Sequence, residues 1–276
     1  MPGLRFLAKI ACVNRVTPLV RTEAICLERF GHDAHVAHRD PERELAATHA
    51  ISFVETGSFR VKADGRWRDV TPQQMFVANR GLEFSCAHET EYPDDCCLSL
   101  RFSDEAIESL RGQGAPLART PIVPLTNRRA YLKLRLGEVT ARGDHARAEA
   151  MAGALYWSLS GHDTRQSLFR ATRLSWYSAR IDRANSLIDA HYDEPLSLSR
   201  MARDAGMSVY HFARVFNELE GQPPHRRLLE VRLAEARKRL RDGASVTETC
   251  YGVGFGSLSH FVSTYRRHFG VRPSDT

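Results

Sequence analysis

Two cysteines and a histidine stand close enough along this chain to share a ligand. Cys86-Ala87-His88 is followed, after a short polar stretch, by Cys96-Cys97. Alternate residues of a strand face the same side, so Phe84, Cys86 and His88 project together. Cys96 projects in turn with Leu98, Leu100 and Phe102. If the two runs pair as a hairpin, Cys86, His88 and Cys96 converge inside a strand-rich domain. Soft sulfur and nitrogen donors of that kind suit zinc or a similar ion. Thiol redox sensing is a second reading, and a third is packing alone, the usual role of a free cysteine. Spacing leaves all three open. His32, His35 and His38 form a looser set that reads as a charged loop.

The elements that carry this cluster are short. From about 20 to 103, apolar and polar residues alternate in runs such as AICLERF, ISFVE, SFRVKA, MFVA, LEFSC and CLSLRF. Turn-like stretches, Glu55-Thr56-Gly57 and Asp64-Gly65, separate them. Several short strands at this spacing predict a small sandwich or barrel. Arg111 to Pro124, rich in Gly and Pro, reads as a linker. Amphipathic helical patterns follow near 127–142 and 145–160. They could form a dimer contact or pack on the strands.

From Ser178 the pattern is helical to the end. Ile181, Ala184, Leu187, Ile188 and Tyr192 share one helical face, and Pro195 closes that helix. Ser197 is placed to cap a short helix that turns Met201, Ala202 and Ala205 inward. Gly206 allows a tight turn. Ser208 is placed to cap a helix with inner face Phe212, Val215, Phe216 and Leu219, stopped at Gly221. A longer helix over Pro224 to Arg241 carries the stripe Leu229, Leu233, Ala236 and Leu240. The arrangement then repeats: Ser245 caps a helix through Val246 and Cys250, Gly254 makes the turn, and Ser257 opens the last helix. That helix buries Phe261, Tyr265 and Phe269 and ends at Gly270.

Three segments, PLSLSRMARDAGMSVYHFARVFNELEG, RLAEARKRL and SVTETCYGVGFGSLSHFVSTYRRHFGVRP, resemble the signature of the AraC/XylS family over about 100 residues. The resemblance implies two helix-turn-helix units, each sending its second helix into a major groove. The connecting helix would hold them about 34 Å apart, near one DNA turn. It places Val209, Tyr210, Ala213 and Arg214 on the exposed face of the first recognition helix. In the last helix the matching positions are Leu258, Ser259, His260, Val262 and Ser263. Arg266 and Arg267 fall where phosphate contact is more natural than base reading. Two positions depart from the family pattern. Arg227 stands where an aromatic residue is usual, which would loosen packing, and Cys250 stands in place of a smaller residue.

The fold class implied is α+β. Residues 1–125 form a cupin-like β-barrel for effector sensing or dimerisation. A helical linker, 126–173, with a dimer contact as one role, leads to an all-α domain, 174–276, whose two helix-turn-helix units are joined by a long helix. Enzymatic cupins carry two His one residue apart and a following Glu, but Glu44 to Ile51 offers only His49. A cupin-type metalloenzyme is therefore disfavoured, and no enzymatic activity is expected. A DNA-repair alkyl acceptor, which joins such a DNA-binding domain to a zinc module with four cysteines, is the other alternative. Here the N-terminal half has five cysteines on what reads as a barrel.

Composition bounds the rest. The 276 residues are 42% hydrophobic and 26% charged, with a net charge of +6. From Leu174 onward 15 Arg/Lys stand against 12 Asp/Glu, so the motifs rather than bulk charge carry the DNA-binding reading. No run approaches the roughly 18 apolar residues of a membrane span. The opening residues, interrupted by Arg5 and Lys9, do not read as a signal peptide. The expectation is a cytoplasmic protein that binds double-stranded DNA. A small-molecule or metal effector, a homodimer and, for an activator, RNA polymerase are its further candidate partners.

Overall fold

A computed structural model describes residues 15–31, 43–88, 95–115, 118–159 and 168–276. The chain divides into two compact units, Met1–Leu168 and Phe169–Thr276. His32, His35 and His38 lie outside the described residues.

Among the described residues the first unit holds ten strands: β1 Arg15–Arg21, β2 Ile25–Gly31, β3 Glu44–Leu45, β4 His49–Thr56, β5 Phe59–Ala63, β6 Arg66–Val70, β7 Gln74–Ala78, β8 Glu83–Ala87, β9 Cys96–Phe102 and β10 Ile122–Pro124. They form a six-stranded sheet, ordered β1-β2-β9-β4-β7-β10, and a four-stranded sheet, ordered β3-β8-β5-β6. The pairs β3·β8, β4·β7 and β5·β6 are nested antiparallel and alternate between the sheets. That is the jelly-roll arrangement of cupins. Between the sheets pack Val54, Phe76 and Ala78 from one and Phe59, Val61, Ala63 and Val70 from the other.

The central strands β9, β4 and β7 of the six-stranded sheet are buried on their other face too, which explains their nearly continuous apolar runs. Helix α1 spans Asp104–Gly112, α2 Asn127–Ala141 and α3 His145–Ser158. Tyr156 of α3 meets Phe102 of β9 edge-on at 5.6 Å, and Lys133 of α2 lies 5.4 Å over the Phe53 ring. Arg129, fully buried, donates to the carbonyls of Pro124 and Ser158 at 2.7 and 2.8 Å, tying β10, α2 and α3 together. The two helices expected near 127–160 thus pack on the strands.

The Gly/Pro stretch from Arg111 to Pro124 is not the domain linker expected of it. Its end is β10, an edge strand on β7, where proline costs no ladder hydrogen bond. Helices α2 and α3 likewise belong to the first unit, and the division after Leu168 falls inside the expected 126–173 linker segment.

The second unit contains α4 Ala171–Ala190, α5 Leu198–Asp204, α6 Val209–Glu220, α7 Pro224–Arg241, α8 Val246–Gly252 and α9 Leu258–Phe269. The predicted helices are all present. Ser197 and Ser245 accept from the backbone N–H three residues on, and Glu248 completes a capping box with Ser245. Gly221 and Gly270 end α6 and α9 in the left-handed conformation.

Candidate nucleic-acid interface

Two helix-turn-helix units are built alike. In the first, Gly206 has φ +63° and the Met207 N–H donates to the Ala202 carbonyl at 2.9 Å. In the second, Gly254 has φ +83° and the Phe255 N–H donates to the Cys250 carbonyl at 3.1 Å. A tight turn of this kind sets α6 steeply across α5, and α9 across α8. Ala202 and Cys250, buried at these crossings, are small enough to allow the approach.

Amphipathicity then decides which face each second helix presents. Phe212, Val215, Phe216 and Leu219 of α6 are fully buried. Each large apolar side chain so placed stabilises the unit by roughly 1.5–3 kcal/mol, which leaves the opposite face nothing to do for folding. That face carries Tyr210, 82% exposed, with Val209 and Arg214. Arg214 is exposed and pairs at 3.4 Å with Glu218, one turn on, whose side chain is only 14% exposed. Ala213 is half-buried.

In α9, Phe261, Thr264 and Tyr265 face inward. Leu258, Ser259, His260, Ser263, Arg266 and Arg267 are exposed. Val262, expected on the same face, is half-buried and packs partly against the core of the second helix-turn-helix unit. Leu258, Ser259, Val262, Ser263, Arg266 and Arg267 line an open groove that Arg272 extends. Arg272 escaped the sequence reading because it follows the helix, where periodicity says nothing. His260 rests against Phe255 with ring centroids 5.6 Å apart, which orients its imidazole.

The connecting helix α7 is held on both sides. Arg232 donates to the carbonyls of Tyr192 and Glu194, and Arg239 to the carbonyl of Gly252 and the hydroxyl of Tyr192. The position expected to loosen packing, Arg227, instead pairs with Asp189 of α4 at 2.9 Å.

The metal reading meets a different geometry. Cys86 lies on β8 of the four-stranded sheet and Cys96 on β9 of the six-stranded sheet, so the hairpin that would bring them together does not form. Cys86 packs against the core between the sheets, as Cys97 does. The Cys96 thiol instead lies 3.7 Å from the Glu55 carboxylate, which also pairs with Arg29. His88 Nδ1 sits 2.8 Å from Asp95 Oδ1, both side chains buried. Among the described residues no group of three or more His, Cys, Asp or Glu is arranged to hold a metal ion. Burial pushes the Cys97 thiol up to about 12, with nearby Asp95 adding to the effect. Burial raises Cys96 and Cys250 as well.

Comparison with known proteins agrees with the second unit. Residues 201–276 match a family described as a helix-turn-helix domain. The HTH-type transcriptional regulator ArgR of Pseudomonas aeruginosa is 31% identical over 40% of this chain and 34% of its own length. A probable thc operon regulatory protein of Rhodococcus erythropolis is 37% identical over 32% of this chain and 28% of its own. The chain therefore spans about a third of the length of these curated relatives. A transcriptional regulator from Chromobacterium violaceum, solved as an AraC-type DNA-binding domain-containing protein, is 34% identical over 37% of this chain and 91% of its own, with a TM-score of 0.35. By its paired helix-turn-helix units and these sequence matches, the chain belongs to the AraC/XylS family.

Proposed function

We propose that this chain is a sequence-specific DNA-binding transcription regulator that reads two successive major-groove segments, one with α6 and one with α9. The observation that carries the reading is the repeated design of the second unit. Each helix-turn-helix leaves one helix with a fully buried apolar face and an opposite face of exposed hydrogen-bonding and cationic side chains. Side chains of that kind on a groove-sized helix supply base-edge and phosphate contacts together. The jelly-roll unit is the natural place for response to an effector and for self-association, and an activator would also touch RNA polymerase. No catalytic role is proposed. Cys96, Cys97 and Cys250 are held as neutral thiols, opposite to the activated thiolate an alkyl acceptor needs.

Selection of fragments from the host genome by the full-length protein tests the proposal. Recovery of a shared sequence with two blocks about one helical turn apart is expected. Recovery of fragments without a common sequence would overturn it.

A further inference from the structure

The first half of α4 is one-sidedly basic. From Arg170 to Ile181 it holds three arginines and no acidic residue. One of them, Arg173, lines an open groove with Thr172, Trp176, Tyr177 and His211. Trp176 is 44% exposed, and the Arg180 guanidinium stacks on its ring at 3.2 Å. An indole left this far in water is not serving the core.

The groove is continuous with the exposed face of α6. His211 belongs to α6, next to Tyr210 and three residues before Arg214. Its Nε2 is 3.1 Å from the Tyr177 hydroxyl, which joins the wall of the groove to the helix. Arg173 on one side and Arg214 on the other are close enough for both to act electrostatically on His211.

We infer that the groove between α4 and α6 receives the sugar–phosphate backbone of the strand flanking the segment read by α6, with Arg173 and the Thr172 hydroxyl on phosphate and Trp176 against sugar. This inference rests on the proposed DNA-binding function. The contact extends the footprint beyond the recognition helix and carries charge without sequence, since phosphate is the same at every step.

The test uses the full-length protein, its selected DNA site and a version of that site with the α6 half scrambled. For wild type, Arg173→Ala and Arg173→Lys, affinity is measured across a salt series, and phosphate ethylation interference is mapped. Arg173→Ala should lower the slope of log affinity against log salt by about 0.9 on both DNAs. It should also erase interference at one or two phosphates outside the α6 half-site. Arg173→Lys should restore both. Arg173 is exposed, so thermal unfolding should be unchanged. An unaltered slope and an unaltered interference map in Arg173→Ala would overturn the inference while leaving the regulator reading in place. Loss of all sequence preference in the wild type would instead strike the regulator reading.

Discussion

Arg232 donates its Nε hydrogen to the carbonyl oxygen of Tyr192 at 2.6 Å, so the connecting helix α7 grips the turn that follows α4. A second donor, Nη2, reaches the Glu194 carbonyl at 2.9 Å. Burial pulls the Arg232 guanidinium below its usual range, though it stays charged at any physiological pH. One side chain thereby fixes the segment that leads from α4 into the first helix-turn-helix to the helix that leads into the second.

Replacing Arg232 by Met keeps the apolar stem and removes the donors. It should cost roughly 2–4 kcal/mol, the scale of two charge-assisted hydrogen bonds and two carbonyls left without them. Urea unfolding of the variant, followed by helical circular dichroism, measures this. A loss below about 0.5 kcal/mol would mean the two carbonyls find water without penalty.

Gly206 and Gly254 make equivalent turns, yet they should not tolerate alanine equally. Both have positive φ, which costs an alanine about 1–2 kcal/mol. At Gly206 the added Cβ meets nothing within 4 Å, whereas at Gly254 it lies 2.7 Å from the Asp193 carbonyl oxygen and 2.9 Å from Arg232 Nη2. Gly206→Ala should lose only the conformational term, and Gly254→Ala roughly twice as much or more. Equal losses would show that the backbone at Asp193 yields.

Much of this was legible in the sequence, and for stated reasons. Phe212, Val215, Phe216 and Leu219 recur at helical spacing because one face of α6 is buried and the other is not, so periodicity finds them directly. Ser197, Ser245 and Ser257 accept capping hydrogen bonds as expected and, with the turn glycines, mark their positions through backbone chemistry that is local, whereas Ser208 stands at the N-cap of α6 without a side-chain capping bond. The jelly-roll unit resisted at two places for the opposite reason. Alternation says that Cys86 faces inward but not which strand lies beside it, and β8 pairs with β3 and β5 rather than with β9. The core-facing thiol opposite is therefore Cys97, one residue from the expected Cys96. The Gly/Pro run before Pro124 announced a break in regular structure, which it is, but an edge strand and a domain boundary share that composition. The groove at Arg173 and Trp176 had no motif at all. It exists only because the Tyr177 hydroxyl of α4 meets the His211 ring of α6.

Native protein should resist alkylation at Cys97. With its thiol raised to about 12 by burial, roughly one molecule in ten thousand carries the thiolate at pH 8, and the thiolate is the reactive form. Iodoacetamide labelling mapped by peptide mass spectrometry should leave Cys97 unmodified until denaturant is added. Labelling at the denatured rate would show that the core between the sheets opens readily.

His211 should make the second unit sensitive to acid. Burial lowers its folded pKa, with Arg214 and Arg173 adding to the effect, so the unfolded chain binds the proton more readily. Its contribution to stability is complete above the unfolded value near 6.5 and is lost as pH falls through the lower folded value. Tyr177, Arg173 and Arg214 are the other groups that face it. On going from pH 7.5 to pH 5, wild type should lose more thermal stability than His211→Gln. An equal loss in both would assign the acid sensitivity elsewhere.

The most direct test of sequence reading by α6 compares Arg214→Ala with Arg267→Ala on the selected site, altered base by base and titrated with salt. Arg214 projects from the exposed face of α6, where a guanidinium can offer paired donors to a guanine edge. Arg267 lies in the last turn of α9, placed for phosphate. Arg214→Ala should cost about 1–3 kcal/mol on the selected site and relax preference at one base position. Arg267→Ala should weaken every site alike and reduce the salt slope by about 0.9. If Arg214→Ala instead gives a uniform loss with no relaxed position, α6 does not read bases through this residue and the account of the first recognition helix is contradicted.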